Sequence, residues 1–528
     1  VDDRVIAPQG LILLSGRLAT GLDLEALRVW VETTCAVPAV IIPERAGTFG
    51  RRLGQALAGR RADRLVIAIA SGECHQREAQ QLAQQRGVDP LGLAVLDLEA
   101  HCLRLTSPAQ AVERAKLLLA GALARLLAFP GSQPENLVAG VSLEVGRRQL
   151  LRLAVTGYRT VPAIDAERCV AALGCRQCLE MCPVAALRLG PDGVTVNRTQ
   201  CVGCGLCQTV CPARAVTYPG ASLAELEAQL RQLLNPRLAA LAPRGIIFLC
   251  ERGLAALEAH VADGLRYPPG WLPVMVPCVG MLGLEVYLGS LLLGATTVGV
   301  LPCQPACPAG ERGVARERIA LARTVLEALG AEPGRVRVLA LSSTLGPEWN
   351  LMAEPLAAGQ AEPAVGTVAD RRRLAQGLIQ ATALGEASWS VPHPQAPFGV
   401  IALDPAACTG CQTCTTVCPT GALQAEKRGD RLVITFESVL CSVCGLCVAR
   451  CPERAAGALA LEAKVDAIWL AAGRRTVGES RYLVCASCGR PVAPAALLRR
   501  LATILGEEYE RLAPVITRYC PECRGRVG

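Results

Sequence analysis

Aromatic residues are scarce in this chain, 3% of 528 residues, and charged residues make up only 19%. Few aromatics and scattered arginines argue against a nucleic-acid partner, although the formal net charge is +8. No basic segment precedes an apolar core and a small-residue cleavage site, so we expect no secretory signal and a cytoplasmic setting. Long apolar runs are also few. The longest charge-free one, Val286 to Gly310, contains Pro302, Pro305 and Pro308 and divides into a helix, a strand and a loop, which argues against a membrane span. No strand–GxGxxG–helix unit, Walker loop, Ser/His/Asp set or pair of carboxylates marks a substrate site.

Cysteine is plentiful, with 27 in all. Disulfide scaffolds are short and secreted, whereas this chain is long and gathers its cysteines in tight groups. Neighbours two residues apart seldom bond each other but readily share a metal. Reduced thiols that bind metal are therefore the reading, and bound clusters would offset the excess positive charge.

A chain of this length needs several cores. From Val5 to Ala128, "GLILLSG", "VPAVIIP", "RLVIAIAS" and "LGLAVLDL" read as strands. "LDLEALRVWVETT", "TFGRRLGQALAGR" and "HQREAQQLAQQRG" read as helices, and a long helix closes the region. A second alternation places strands at "RGIIFLC", "LPVMVPC", "TTVGVLPC" and "RVRVLAL", with "ARERIALARTVLEALGA" the clearest helix. Such alternation predicts parallel sheets covered by helices.

Two cysteine blocks follow one pattern. The second is regular: Cys408, Cys411, Cys414 and Cys418-Pro419, then Cys441, Cys444, Cys447 and Cys451-Pro452. "LQAEKRGDRLVITF" between its halves reads as a hairpin. The first block has Cys169, then Cys175, Cys178 and Cys182-Pro183, with five residues between the first two instead of two. Cys201, Cys204, Cys207 and Cys211-Pro212 restore the regular spacing, and "LRLGPDGVTV" is the matching hairpin. Three cysteines in a tight loop can cap three irons of a cubane, the fourth being reached from elsewhere. The blocks resemble bacterial two-cluster ferredoxins. The resemblance implies one cube on Cys408, Cys411, Cys414 and Cys451, another on Cys441, Cys444, Cys447 and Cys418, and four 4Fe–4S clusters in all. Cys169, beside the insertion, is the ligand the pattern supports least.

Cys250, Cys278 and Cys303 each end a predicted strand, and Cys307 follows in the loop. Carboxyl ends of parallel strands line a common crevice, so the four converge on one point. They read either as ligands or as small buried apolar residues. Residues 244–341 resemble the delta subunit of methyl-viologen-reducing hydrogenase, which implies a 2Fe–2S cluster on these cysteines. The chain departs from that family by one cysteine in "FLCERG" and by a "CQPAC" pair without histidines.

"ATGLDLEAL", "RLVIAIASGECH" and "RGVDPLGLAVLDLEAHC" resemble the N-terminal region of the A-type subunit of heterodisulfide reductase. That family's cysteine-bearing turns correspond here to "LSGR" and "PERA", which have none, and Cys35, Cys74 and Cys102 are too scattered to replace them. The domain therefore reads as a docking scaffold without a cluster, and His75 and His101 as structural. The family's flavin-binding domain has no counterpart here. In the tail, Cys485, Cys488, Cys520 and Cys523 form two knuckles with the spacing of a closed zinc site, rubredoxin-type iron being the alternative.

The architecture expected is α/β and multidomain, with two parallel-sheet α/β domains interleaved with two α+β dicluster ferredoxin modules and a zinc-ribbon-like tail. The boundaries are 1–130 for the cluster-less domain, 160–220 and 399–460 for the ferredoxin modules, 240–345 for the delta-like domain, 346–398 for a linker with a helix, and 480–528 for the tail. Function reads as non-catalytic electron transfer within a complex. The partners would be flavin- or metal-containing subunits of the heterodisulfide reductase, hydrogenase or formate dehydrogenase kind. A thiol/disulfide reductase and a metal-stabilised scaffold remain as alternatives.

Overall fold

A computed structural model describes residues 10–16, 22–43, 49–58, 63–70, 85, 87–145, 151–191, 193–237, 241–303, 307, 310, 313–356, 367–381 and 388–525. Cys74, His75 and most of the helix expected after them lie outside the described residues. The chain forms two compact units. The first holds residues 1–167, 178–327 and 331–377, and the second holds 168–177, 328–330 and 378–528.

In the first unit, β1 (Gly10–Gly16), β2 (Ala39–Pro43), β3 (Arg64–Ala70) and β4 (Leu93–Asp97) form a parallel sheet in the order β2-β1-β3-β4. Leu11, Leu13, Leu65, Ile67 and Ile69 fill its core with Leu53 and Leu57 of helix Phe49–Leu57. Helix Pro108–Ala128, with proline at its first turn, closes the sheet. β5 (Leu137–Val145) and β6 (Leu151–Thr160) then pair as an antiparallel hairpin that falls between the boundaries drawn from sequence. β7 (Ala163–Ile164) precedes the short hairpin of β8 (Leu187–Gly190) and β9 (Gly193–Val196), and pairs with β10 (Val216–Thr217).

A second parallel sheet follows: β11 (Gly245–Leu249), β12 (Trp271–Met275), β13 (Thr297–Leu301) and β14 (Val336–Val338), in the order β12-β11-β13-β14. Every residue of β11 and β13 is buried, as strands covered on both faces require. Trp271 and Trp349 anchor the core, and Trp271 Nε1 donates to Trp349 O at 2.6 Å. Three arginines bind the elements of this unit together. Arg64 donates to the Leu126 and Phe129 carbonyls, and Arg125 to those of Gly220 and Met275. Arg114 reaches the carbonyls of His101, Pro269 and Trp271. Among the described residues no helix is long and apolar enough to cross a membrane.

In the second unit, β15 (Ser390–Pro392) and β16 (Gly399–Leu403) flank β19 (Leu459–Asp466). A four-stranded sheet runs β17 (Leu423–Arg428), β18 (Arg431–Glu437), β20 (Arg474–Val484) and β21 (Pro491–Pro494). β20 begins ahead of the boundary at 480, so the tail grows directly out of the ferredoxin hairpin's sheet.

Candidate metal centres

The regular block is built from local backbone geometry. Gly410 and Gln412 flank Cys411 with φ of +71° and +63°, and Val443 and Gly445 flank Cys444 with +56° and +74°. Alternating hands in a tight loop turn successive N–H groups toward one side, which suits the net negative charge that a cationic core and its four thiolates would carry together. Burial raises the pKa of Cys408 and Cys444, and the N–H groups of Gly410 and Leu446 oppose it by favouring the thiolates. Cys408, Cys411, Cys414 and the distant Cys451 line one cavity, with Leu403, Ile434, Leu459 and Glu453 on its walls. Burial, and then the thiolates of Cys408, Cys411 and Cys451, push Cys414 up to about 12. Cys447 is likewise pushed up to about 12, by burial and then by Cys441, Cys444, Cys418 and Cys414.

The first block divides between the units: Cys169 and Cys175 lie in the second, and Cys178, Cys182, Cys201, Cys204, Cys207 and Cys211 in the first. Gly203 and Gly205 repeat the paired left-handed turns around Cys204, at +71° and +72°. The Ala186 N–H donates to Cys182 Sγ and the Ala215 N–H to Cys211 Sγ, each at 3.2 Å. Burial raises the Cys207 pKa, and so do Cys204, Cys201, Cys178 and Cys182. The inserted loop has an anchor within the second unit, where Arg450 Nε donates to Leu173 O at 2.9 Å.

The donor chemistry of these sets fits a multiply charged cationic guest. Burial, and then neighbouring cysteines, raise Cys207, Cys414 and Cys447, so four thiolates can face one point only around a compensating core such as an iron–sulfur cube.

At the second parallel sheet, β11 pairs with both β12 and β13, with Leu249 opposite Met275 and Leu301. Their carboxyl ends are therefore level. Cys250 caps helix Glu251–Ala262, Cys278 opens the turn Val279–Met281, and Cys303 lies two residues past β13. The Gly280 N–H donates to Cys278 Sγ at 3.3 Å. Burial, Cys307 and Cys250 push Cys303 up to about 12. Cys278 rises to about 12 through burial, Cys204, Cys307 and Cys250. The four strand-end thiols thus act on one another, and the donor set suits a thiolate-held iron–sulfur group for the same reason as the blocks.

Comparison with known proteins follows this division. Residues 168–215 and 407–456 each match a family described as 4Fe-4S dicluster domain. Residues 246–358 match the methyl-viologen-reducing hydrogenase, delta subunit. The D-type iron-sulfur subunit of the F420-non-reducing hydrogenase vhu of Methanopyrus kandleri is 35% identical over 101 residues, which are 19% of this chain and 76% of that protein. The chain belongs to the hydrogenase delta-subunit family.

Hydrogenase-4 component A of Escherichia coli is 35% identical over 137 residues, 25% of this chain, and the chain spans 57% of that relative's length. A ferredoxin of Saccharopolyspora erythraea is 40% identical over 55 residues, 10% of this chain and 51% of its own.

Beyond the delta-subunit region, the sulfurs of Cys485, Cys488, Cys520 and Cys523 all lie within 4.8 Å of one another. Cys488 Sγ and Cys520 Sγ are 3.6 Å apart, close to the edge of about 3.8 Å that Zn–S bonds of about 2.3 Å give a tetrahedron. The Cys520 backbone N–H lowers Cys485 to about 6, whereas sulfur contacts with Cys488 and Cys520 raise Cys523 to about 12. This set suits a single small cation.

His101 is buried, its ring nitrogens 3.1 Å from Tyr267 Oη and 2.9 Å from Glu258 Oε1. Cys102 is buried apart from any cysteine group and pushed up to about 12 by burial. Sequence reasoning missed Glu453, on the cavity wall and held by Arg500 at 2.9 Å. It also missed Tyr218, whose hydroxyl lies 3.0 Å from Thr160 O and 2.7 Å from Gly203 O. Arg318 was missed too, although a charged residue within the apolar stripe Val314, Ile319, Leu321, Ala322 and Val325 is a readable signal.

Proposed function

We propose that this chain is an iron–sulfur electron-transfer subunit of a hydrogenase- or heterodisulfide-reductase-type complex. The single observation that carries the reading is the cavity ringed by Cys408, Cys411, Cys414 and Cys451, three ligands from one loop and one from the other half of the module. The residues that would hold 4Fe–4S cubes are the eight of each block, and Cys250, Cys278, Cys303 and Cys307 would hold a 2Fe–2S cluster. Such groups supply reversible one-electron acceptance. The chain's own part is to exclude water with Leu403, Ile434 and Leu459, and to bias potentials through N–H donors to sulfur.

The tail would hold zinc, stabilising the fold without carrying electrons. The first parallel sheet, resembling the A-type heterodisulfide reductase subunit without its cluster, would serve docking. Flavin- or metal-containing oxidoreductase subunits would be the partners, in the cytoplasm. A reductase acting through Cys278 or Cys303 would need a thiolate near neutral pH, whereas both thiols are raised to about 12.

Anaerobic metal analysis tests the proposal. About sixteen cubane irons, about two more at the strand ends and about one zinc are expected. Less than about half that iron, with zinc in its place, overturns the ferredoxin reading.

A further inference from the structure

Within the first unit the strand-end cysteines meet the regular half of the first module. Leu206 and Cys278 are buried and pack with Val314, while Met181, Cys204 and Cys307 close around them. A glycine of each loop lies against a side chain of the other. A side chain at Gly205 would stand 3.2 Å from Met281 Sδ, and one at Gly280 would stand 3.4 Å from Leu206 Cδ2. The contact is apolar, yet a guanidinium is buried beside it. Arg318, 5% exposed, donates from Nη1 to Gly280 O at 2.9 Å and Leu282 O at 3.3 Å, and from Nη2 to Thr209 Oγ1 at 3.3 Å. One arm holds the turn that follows Cys278. The other holds helix Leu206–Val210, which carries Cys207.

Burying a guanidinium is costly, and a planar fork serves two diverging sets of acceptors in a way an ammonium does not. The burden is placed where two cysteine sets come closest. We propose that Arg318 is a positioning residue that fixes the Cys204 loop against the Cys278 turn, so that one electron passes directly between the iron–sulfur groups held on either side. This rests on the cluster reading above. One side is oxidised by one electron and the other reduced by one, with no proton moved and no bond broken. Cys204, Cys278 and Cys307 are the cysteines packed at the junction, and Leu206 and Met281 keep it dry.

The test uses the full chain, reduced with dithionite, with iron analysis and electron paramagnetic resonance. The wild type is expected to show spin–spin broadening between a centre of the first module and the strand-end centre. Arg318→Met is expected to keep its iron and lose that broadening, and Arg318→Lys is expected not to restore it. Iron retained with the broadening unchanged in Arg318→Met overturns the proposal, as does a wild type with full iron and no broadening. A wild type lacking strand-end iron overturns the proposal together with the cluster reading, which separates the two failures. If Arg318→Met loses iron or fails to fold, Thr209→Val decides. It removes one arm's acceptor while sparing both carbonyl bonds, and weakened broadening supports the role while unchanged broadening removes it.

Discussion

The two ferredoxin-type modules share a spacing and differ in how they are closed. Residues 407–456 lie within one compact unit, both cysteine loops carry paired left-handed turns, and the hairpin β17–β18 is extended by β20 and β21. In residues 168–215 only the Cys201–Cys207 loop has the paired turns among the described residues, and the hairpin β8–β9 stands as a two-stranded sheet. The first loop there keeps Gly174 at +92° before Cys175, but its inserted residues 171–173 form a short helical turn. A cubane needs its three-cysteine loop to be a rigid nest, and the insertion replaces half of that nest with a segment held by Arg450.

The largest effect sharpens this contrast. Cys411→Ser, at the centre of a regular loop, is expected to cost about four irons, the content of one cube. Cys169→Ser is expected to cost fewer, because the inserted loop already departs from the nest. Iron analysis of the two purified variants checks this, and equal losses would remove the distinction between the loops.

Much of this was legible from local pattern. "GIIFL" and "TVGVL" are continuous apolar runs because both faces of β11 and β13 are buried. The two dicluster domains were legible because ligand spacing is a property of short loops. β20 was not, since "RRTVGESRYLV" carries no apolar period and is placed by pairing with β18. The hairpin β5–β6 fell in the interval left between two domain boundaries. Glu453 and Arg500 are 47 residues apart, and nothing in either neighbourhood announces the other.

The second prediction exploits a position where the modules differ in sequence. Gly203 and Val443 occupy equivalent places before the second cysteine of their loops, both left-handed. A Cβ at Gly203 would meet Thr160 O and Tyr218 Oη at 3.0 Å each. Gly203→Val is therefore expected to destabilise the protein by about 2 kcal/mol, the range for overpacking. Urea unfolding measures it, and a change below about 0.5 kcal/mol would show that the Tyr218 contact yields freely.

A pH series separates the blocks from the tail. In metal-free protein the folded-state pKa of Cys414 and Cys447 stands near 12, above the ordinary thiol value of 9.0. Their contribution to stability is therefore complete below pH 9 and is lost as pH rises toward 12. Cys485 has the opposite sign: lowered to about 6, its contribution holds above pH 9 and is lost as pH falls through 6. A zinc ion held there as proposed should accordingly leave the tail on acidification, which a chromogenic chelator reports. Alkaline stability that does not fall between pH 9 and 12 would contradict the raised values.

Glu453 adds a negative charge to the wall of the cavity lined by Cys408, Cys411, Cys414 and Cys451. Glu453→Gln should raise the midpoint potential of the Cys408 set by roughly 50 mV, the equivalent of about 1 kcal/mol for one electron. Redox titration with and without the substitution checks the sign, and a downward shift would place the dominant charge elsewhere.

The smallest effect is the converse of Gly203→Val. Val443 holds φ at +56°, where a β-branched side chain crowds its own backbone at a cost of about 1–2 kcal/mol. Glycine there removes the crowding but gives up a half-buried side chain and adds freedom to the unfolded chain, each worth about 0.5 kcal/mol or somewhat more. Val443→Gly should therefore stabilise the protein slightly, by about 0.5 kcal/mol, with iron content unchanged. Stability falling by about 1 kcal/mol instead would mean that packing around Val443 outweighs its backbone strain. The second module would then tolerate valine because that contact holds the loop, whereas Gly203 serves the first module by leaving room for Tyr218.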